Sequence, residues 1–70
     1  MTTAERVKRW RKRTELNLMQ AAAECGLAQS TVWKVEQGYK VGVHVAQRLA
    51  PVLRVRWERL VKEGGGDAQS

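Results

Sequence analysis

The residues best suited to chemistry lie in one short segment, Gln29-Ser30-Thr31-Val32-Trp33-Lys34. If this segment is helical, Val32 and Val35 point inward at helical spacing. An amide, a hydroxyl, an indole and an ammonium group then share the outward face, on Gln29, Ser30, Trp33 and Lys34. Glutamine can pair with two atoms of adenine, and lysine can donate to guanine O6 and N7. This face is therefore predicted to recognise base edges in a DNA groove, the alternative being ordinary solvated polar residues.

Trp33 is unusual on such a face, because an exposed indole is costly unless something covers it. Three interpretations stay open. The indole contacts a thymine methyl or a sugar edge of DNA, it folds back on Tyr39, or it packs on a protein partner.

Phosphate contacts need hydrogen-bond donors at helix starts and in the loops that follow helices. The sequence offers one such group before the segment and another within and after it. The candidates are Asn17, the backbone at Leu18, Gln20, Thr31, Gln37, Tyr39 and Lys40.

Two short helices that meet at Gly26 must position these groups. The alanine-rich run Gln20–Cys25 stops at Gly26, which can adopt the left-handed conformation that turns the chain sharply. Asn17 is a suitable N-cap for the first of the two helices, and Gly38 is a suitable stop for the second. The pattern predicts a helix-turn-helix.

Three further helices are predicted around this pair. Thr3 can cap a first helix, on which Val7, Trp10, Arg11 and Thr14 share one face at helical spacing. A fourth helix runs from Val45 to Leu53, and Pro51 favours a kink or an early end there. A fifth covers Arg56 to Lys62.

Two further predictions concern the C-terminal part of the chain. Val52 to Trp57 alternates with period two, so an edge strand is an alternative to helix there. The tail 64–70 has nothing to bury and is predicted to be mobile and disordered, which leaves residues 1–63 as the domain.

Composition limits the classes of protein. Seventy residues make one small domain with a thin core, and a net charge of +6 favours a polyanionic partner. The single cysteine, Cys25, excludes an internal disulfide framework and is interpreted as a small buried residue, which fits a reducing cytoplasm. No membrane partner is expected, because no stretch is long and apolar enough to span a bilayer and no signal-peptide pattern opens the chain.

Catalysis has little support. His44 is the single histidine and has no neighbouring cysteine or histidine with which to hold a metal. No carboxylate pair recurs at a useful spacing, and no glycine-rich loop precedes a helix. We expect neither an enzyme nor a cofactor.

The order of these residues resembles the Cro/cI-type helix-turn-helix family, a five-helix repressor domain of phages and bacteria. The resemblance covers roughly Arg6 to Val61. It is carried by Arg11, Asn17, Ala22, Gly26, Ser30-Thr31-Val32, Glu36, Gly38, Leu49-Ala50, Leu53, Val55, Trp57 and Leu60. It implies an all-α fold of five helices, with Arg11 and Glu36 paired beneath the third helix to hold it against the first.

The sequence departs from the family pattern at several positions. Leu18 replaces the usual Gln, with Gln20 two residues on, and Ala28 replaces the usual Ser or Thr cap. Glu15 and Arg54 stand where glycine often ends a helix. These departures affect phosphate contacts and helix ends.

The resemblance and the outward face together predict a transcriptional regulator that binds double-stranded DNA. A single copy would contact only about one half-site, so a homodimer on a near-palindrome is expected. Repression by occupying an operator is the simplest mechanism, since no residues are left for an effector domain. The candidate dimer surface comprises Val52, Trp57, Leu60 and Val61, although Trp57 and Leu60 can equally close the core.

Two other functions remain open. A protein-interaction module, such as an antitoxin or adaptor, is favoured by Trp33 on the outward face. A membrane-surface or RNA-binding basic peptide, helical only when bound, is suggested by the six basic residues among the eight from Arg6 to Arg13.

Overall fold

The computed structural model describes residues 1–64 and contains five helices. They are α1 (Thr3–Thr14), α2 (Leu18–Cys25), α3 (Gln29–Glu36), α4 (Val43–Leu53) and α5 (Trp57–Glu63). Residues 1–64 form no strand, so the predicted all-α class is confirmed. The strand alternative for Val52 to Trp57 is wrong, because that segment completes α4, turns and begins α5.

The core lies where the apolar faces of all five helices meet. α1 packs on α3, α4 and α5, while α2 packs on α3 and α4, and α4 packs on α5. The fully or almost fully buried apolar side chains include Val7, Ala21, Val32, Val41, Ala46, Leu49 and Leu60. Each buried Val or Leu contributes about 1.5–3 kcal/mol relative to exposure, so this small set provides much of the domain's stability.

The first helix begins one residue earlier than predicted. Thr2 is its N-cap, since the Thr2 hydroxyl accepts from the Glu5 N–H at 3.2 Å and the Glu5 carboxylate accepts from the Thr2 N–H at 2.9 Å. Thr3 is fully buried, and its hydroxyl donates to the Leu60 carbonyl at 2.7 Å. The prediction that Thr3 is the cap is therefore wrong, because Thr3 instead connects α1 to α5.

Two helices end on a left-handed residue that is not glycine. Glu15 after α1 has φ 57°, and Arg54 after α4 has φ 58°. A side chain in this conformation costs about 1–2 kcal/mol. Gly26 after α2 adopts φ 71°, where the absent side chain removes that cost.

Pro51 was predicted to cause a kink or an early end of α4, and the early end does not occur. The helix continues two residues further, to Leu53. Proline removes the hydrogen bond to the carbonyl four residues earlier, that of Gln47. Because Pro51 and Gln47 are both exposed, water can replace the missing donor.

The fifth helix begins and ends one residue later than predicted, at Trp57 and Glu63. Gly64 follows it and is buried, with its N–H donating to the Leu60 carbonyl at 2.8 Å. A side chain at Gly64 would collide with Val41. The predicted tail therefore cannot include Gly64, and its remaining residues, 65–70, lie outside the described part of the chain.

An ion pair connects the two ends of the domain. Arg6 in α1 donates to Glu63 in α5 at 2.8 and 3.2 Å, and Arg59 approaches the same carboxylate at 3.4 Å. The hydrogen bonds from Arg6 lower the pKa of Glu63, and the same pair raises the pKa of Arg6. This pair stabilises the contact between α1 and α5.

Cys25 is buried in the core beside the turn, as predicted. Burial raises the pKa of its thiol. None of the helices described combines the length and the apolar character needed to cross a membrane.

Candidate nucleic-acid interface

The start of α2 is fixed by a reciprocal pair of amide side chains. The Asn17 Oδ1 accepts from the Gln20 backbone N–H at 2.8 Å, and the Gln20 Oε1 accepts from the Asn17 N–H at 3.0 Å. This capping box confirms Asn17 as the N-cap. Each amide uses only its oxygen, so both NH₂ groups, together with the Leu18 backbone N–H, remain able to donate to an anion.

The burial pattern of α3 divides the helix into two faces. Val32 and Val35 are buried against the other helices, as the spacing predicted. Exposed polar or aromatic side chains occupy the opposite face: Gln29, Ser30, Trp33, Lys34 and Gln37. Thr31 lies at the boundary and is half-buried. All four candidate base contacts therefore share one accessible surface.

The start of α3 has no side-chain cap. Ala28 occupies the N-cap position and makes no side-chain hydrogen bond. The backbone N–H groups of Gln29 and Ser30 precede the first hydrogen bonds of α3, which Thr31 and Val32 make to the Ala28 carbonyl. These two N–H groups, like those at the start of α2, point out of the N-terminal end of their helix. An anion at that end can accept hydrogen bonds from them.

Between the starts of α2 and α3 lies an open depression of about 590 Å³. Its lining consists of Leu18, Gln29, Ser30 and Trp33. From the sequence, the Leu18 backbone was predicted to contact a phosphate and Trp33 to contact a base. The spacing of the two residues does not show that their side chains flank one depression. The turn at Gly26 brings them together, since it folds α3 back across α2.

Trp33 partly folds back on Tyr39 yet stays accessible. The ring centroids are 6.2 Å apart and the planes are inclined by 47°. Trp33 remains 45% exposed and Tyr39 53% exposed. The Tyr39 N–H donates to the Lys34 carbonyl at 3.1 Å, which holds the loop against the end of α3. The contact with Tyr39, one of the three interpretations of Trp33, is therefore present, but it leaves the indole accessible.

The predicted pair between Arg11 and Glu36 is present. The Arg11 Nε and Nη2 atoms donate to the two Glu36 carboxylate oxygens at 2.7 and 2.9 Å, and Nη1 lies 3.4 Å from the Leu16 carbonyl. The hydrogen bond to Glu36 raises the pKa of Arg11. One guanidinium therefore connects α1, the end of α3 and the chain that leads into α2.

Positive charge is distributed unevenly over the surface. Lys34 and Lys40 lie on α3 and the loop after it, whereas most of the other basic residues lie on α1 and around α5. Depressions on that side bring together Arg6, Arg9 and Arg13, and then Arg54, Arg56, Arg59 and Lys62 with two glutamates. We call these seven basic residues the α1–α5 basic surface. Polyanions are attracted to it as well, so charge alone does not identify α3 as the contact.

The candidate dimer surface is smaller than predicted. Leu60 is fully buried and accepts the Thr3 hydrogen bond, so its assignment to an interface is wrong and it closes the core. Val52, Trp57 and Val61 are half-buried and pack against the core with part of their surface accessible.

His44 is exposed near the start of α4. Among residues 1–64, no group of three or more His, Cys, Asp or Glu side chains could hold a metal ion. Comparisons with family models, with curated proteins and with solved structures find no match for this chain.

Proposed function

We propose that this chain is a sequence-specific regulator that binds double-stranded DNA through a helix-turn-helix of the Cro/cI type. The observation that carries the proposal is the two-faced α3. Its apolar side is buried, and its outward side presents Gln29, Ser30 and Lys34 beside the uncapped start of α3. An α-helix fits the major groove of B-DNA, where these side-chain types can pair with base edges.

The donors around α3 suit the phosphates on either side of a groove. Asn17, Gln20 and the Leu18 N–H lie at the start of α2. Gln37, Tyr39 and Lys40 follow the other end of α3, and Thr31 lies at the edge of its outward face. Phosphate contacts from two sides would fix the orientation of α3, while base contacts would supply specificity.

The regulator most simply acts as a repressor that occupies a near-palindromic operator as a homodimer. Val52, Trp57 and Val61 are the apolar residues proposed for the interface. Arg54 and Arg56 flank them in sequence, so a symmetric interface would bring like charges together. We therefore expect a dimer that forms weakly alone and more strongly on DNA, where each copy binds one half-site of the same duplex.

Selection of duplexes from a random DNA pool tests the proposal. One enriched near-palindrome is expected. Lys40 is the one cation among the proposed phosphate contacts, so a dimer should give a slope of about −2 when the logarithm of the binding constant is plotted against that of salt concentration. Absence of enrichment, with an affinity that does not change with salt, would contradict it.

A second candidate, a protein-interaction module such as an antitoxin or adaptor, is favoured by the exposed pair Trp33 and Tyr39. It predicts that Trp33→Ala abolishes capture of a protein partner and leaves DNA affinity intact. The hypothesis of a basic peptide that is helical only when bound is not supported. The basic segment belongs to α1, whose residues Val7 and Trp10 are buried in the core.

A further inference from the structure

The depression between α2 and α3 is partly apolar on a face that is otherwise polar. Leu18 and Trp33 bound it with hydrocarbon, and Gln29 and Ser30 bound it with an amide and a hydroxyl. Trp33 is 45% exposed. Contiguous apolar surface rimmed by polar groups is typical of sites that bind a partner.

We infer that this depression receives the 5-methyl group of a thymine in the major groove, so that an A·T pair is required at that position of the DNA site. The inference rests on the proposed DNA-binding function. By this inference, Leu18 and Trp33 take part in sequence selection, in addition to the polar residues of α3.

The chemistry of the lining matches one base pair better than the others. Thymine is the one DNA base that presents an apolar group at its major-groove edge, and its partner adenine presents N6 and N7. A Gln29 amide at the rim can pair with adenine while the methyl contacts Trp33 and Leu18. A G·C pair offers nothing to the apolar side of the depression.

The surroundings favour DNA over a protein as the occupant. Two lining residues have polar neighbours in the chain, since Asn17 precedes Leu18 and Lys34 follows Trp33. An amide and an ammonium group suit an anionic partner. The depression is too open to enclose a small molecule. Contact with Tyr39, at 6.2 Å between ring centroids, restrains the indole before binding and so reduces the entropy lost on contact.

The test uses the full chain and a duplex enriched from a random pool. Each thymine is replaced in turn by deoxyuridine, which removes only the 5-methyl group, and affinity is measured by fluorescence anisotropy. We expect one position per half-site to weaken binding about fourfold, the factor that corresponds to about 0.8 kcal/mol for one buried carbon. Replacement in both half-sites should weaken binding about fifteenfold by the same constant.

Two variants identify the residue that is responsible. In Trp33→Ala the penalty for deoxyuridine at the sensitive position should disappear, while overall affinity falls. Met19→Ala is the matched control, because Met19 is an exposed apolar side chain on α2 that does not line the depression. The penalty for deoxyuridine should persist in this variant. Thermal melts of both variants check that the fold is intact.

The experiment distinguishes failure of this inference from failure of the proposed function. An enriched duplex that tolerates deoxyuridine at every position overturns this inference and leaves the proposed function standing. A penalty that stays at about fourfold in Trp33→Ala also overturns it, because the indole then makes no contact with the methyl. Absence of any enriched duplex overturns the proposed function and this inference together.

Discussion

Arg11 and Glu36 form a bidentate pair whose two members are buried to different degrees. The Glu36 side chain is 5% exposed, whereas that of Arg11 is 30% exposed. Both Glu36 oxygens accept from the guanidinium, while Arg11 also lies close to the Leu16 carbonyl and to solvent. The carboxylate therefore depends on its partner more than the guanidinium does.

This asymmetry predicts unequal losses of stability. Arg11→Ala leaves a buried carboxylate unpaired and should lower the free energy of unfolding by about 3 kcal/mol. Glu36→Ala leaves a guanidinium that water can reach and should cost about 1–2 kcal/mol. The double variant should lose less than the sum. Urea denaturation of the three variants measures these values. Equal, additive losses below about 0.5 kcal/mol would mean that the pair is a surface contact only.

The pair between Arg6 and Glu63 predicts a dependence of stability on pH. The pKa of Glu63 lies below its ordinary value of 4.5, mainly because Arg6 donates hydrogen bonds to it. Its contribution is therefore complete above about pH 4.5 and is lost as pH falls through the lowered pKa. Wild type should exceed Glu63→Gln by about 1 kcal/mol at pH 7, and the difference should vanish at pH 3.

The measurement is urea denaturation at several pH values between 7 and 3. Glu24→Gln, at an exposed position on α2, is the control for loss of one negative charge. A difference between wild type and Glu63→Gln that stays constant down to pH 3 would exclude the ion pair as its source.

The sequence predicted those helix ends that depend only on residues close to them in the chain. Asn17 caps α2 because a short amide at that position is sufficient by itself. Gly26 ends α2 because glycine tolerates a positive φ. Thr2 and Thr3 are equally suitable caps by type, and their roles are decided by a hydrogen bond from Thr3 to Leu60, 57 residues away.

Contacts between distant segments were the ones that the sequence could not show. The pairing of Arg6 with Glu63 and the meeting of Leu18 with Trp33 depend on how the helices pack. Gly64 looked like the first residue of a featureless tail. Its close contact with Val41 has no signal in composition or spacing.

The burial of Gly64 predicts that even a small side chain is not tolerated there. A Cβ atom would lie 2.8 Å from the Leu60 carbonyl oxygen and would collide with Val41. Gly64→Ala should therefore lower the unfolding free energy by about 1–3 kcal/mol. Gly42→Ser is the matched control, since nothing lies within 4 Å of a Cβ there and serine is a good N-cap for α4. If Gly64→Ala melted at the temperature of wild type, the contact of Gly64 would be unimportant for stability.

The proposed roles on α3 and its loop predict two kinds of binding defect. Gln29→Ala and Lys34→Ala should leave the melting temperature nearly unchanged, because both side chains are exposed. Each should reduce discrimination between the selected site and random DNA by about 1–3 kcal/mol. Lys40→Ala, a matched loss of one positive charge, should weaken binding to both DNAs equally. An unchanged sequence preference in Gln29→Ala and Lys34→Ala would remove α3 from base recognition.

We propose that DNA contacts α3 and its flanking donors rather than the α1–α5 basic surface. Backbone amide chemical shifts of the labelled full chain, followed as the selected duplex is added, test it most directly. The largest changes are expected at residues 17–20, 28–34 and 37–40. Changes concentrated at Arg9, Arg13, Arg54, Arg56 and Arg59, with α3 unaffected, would contradict it.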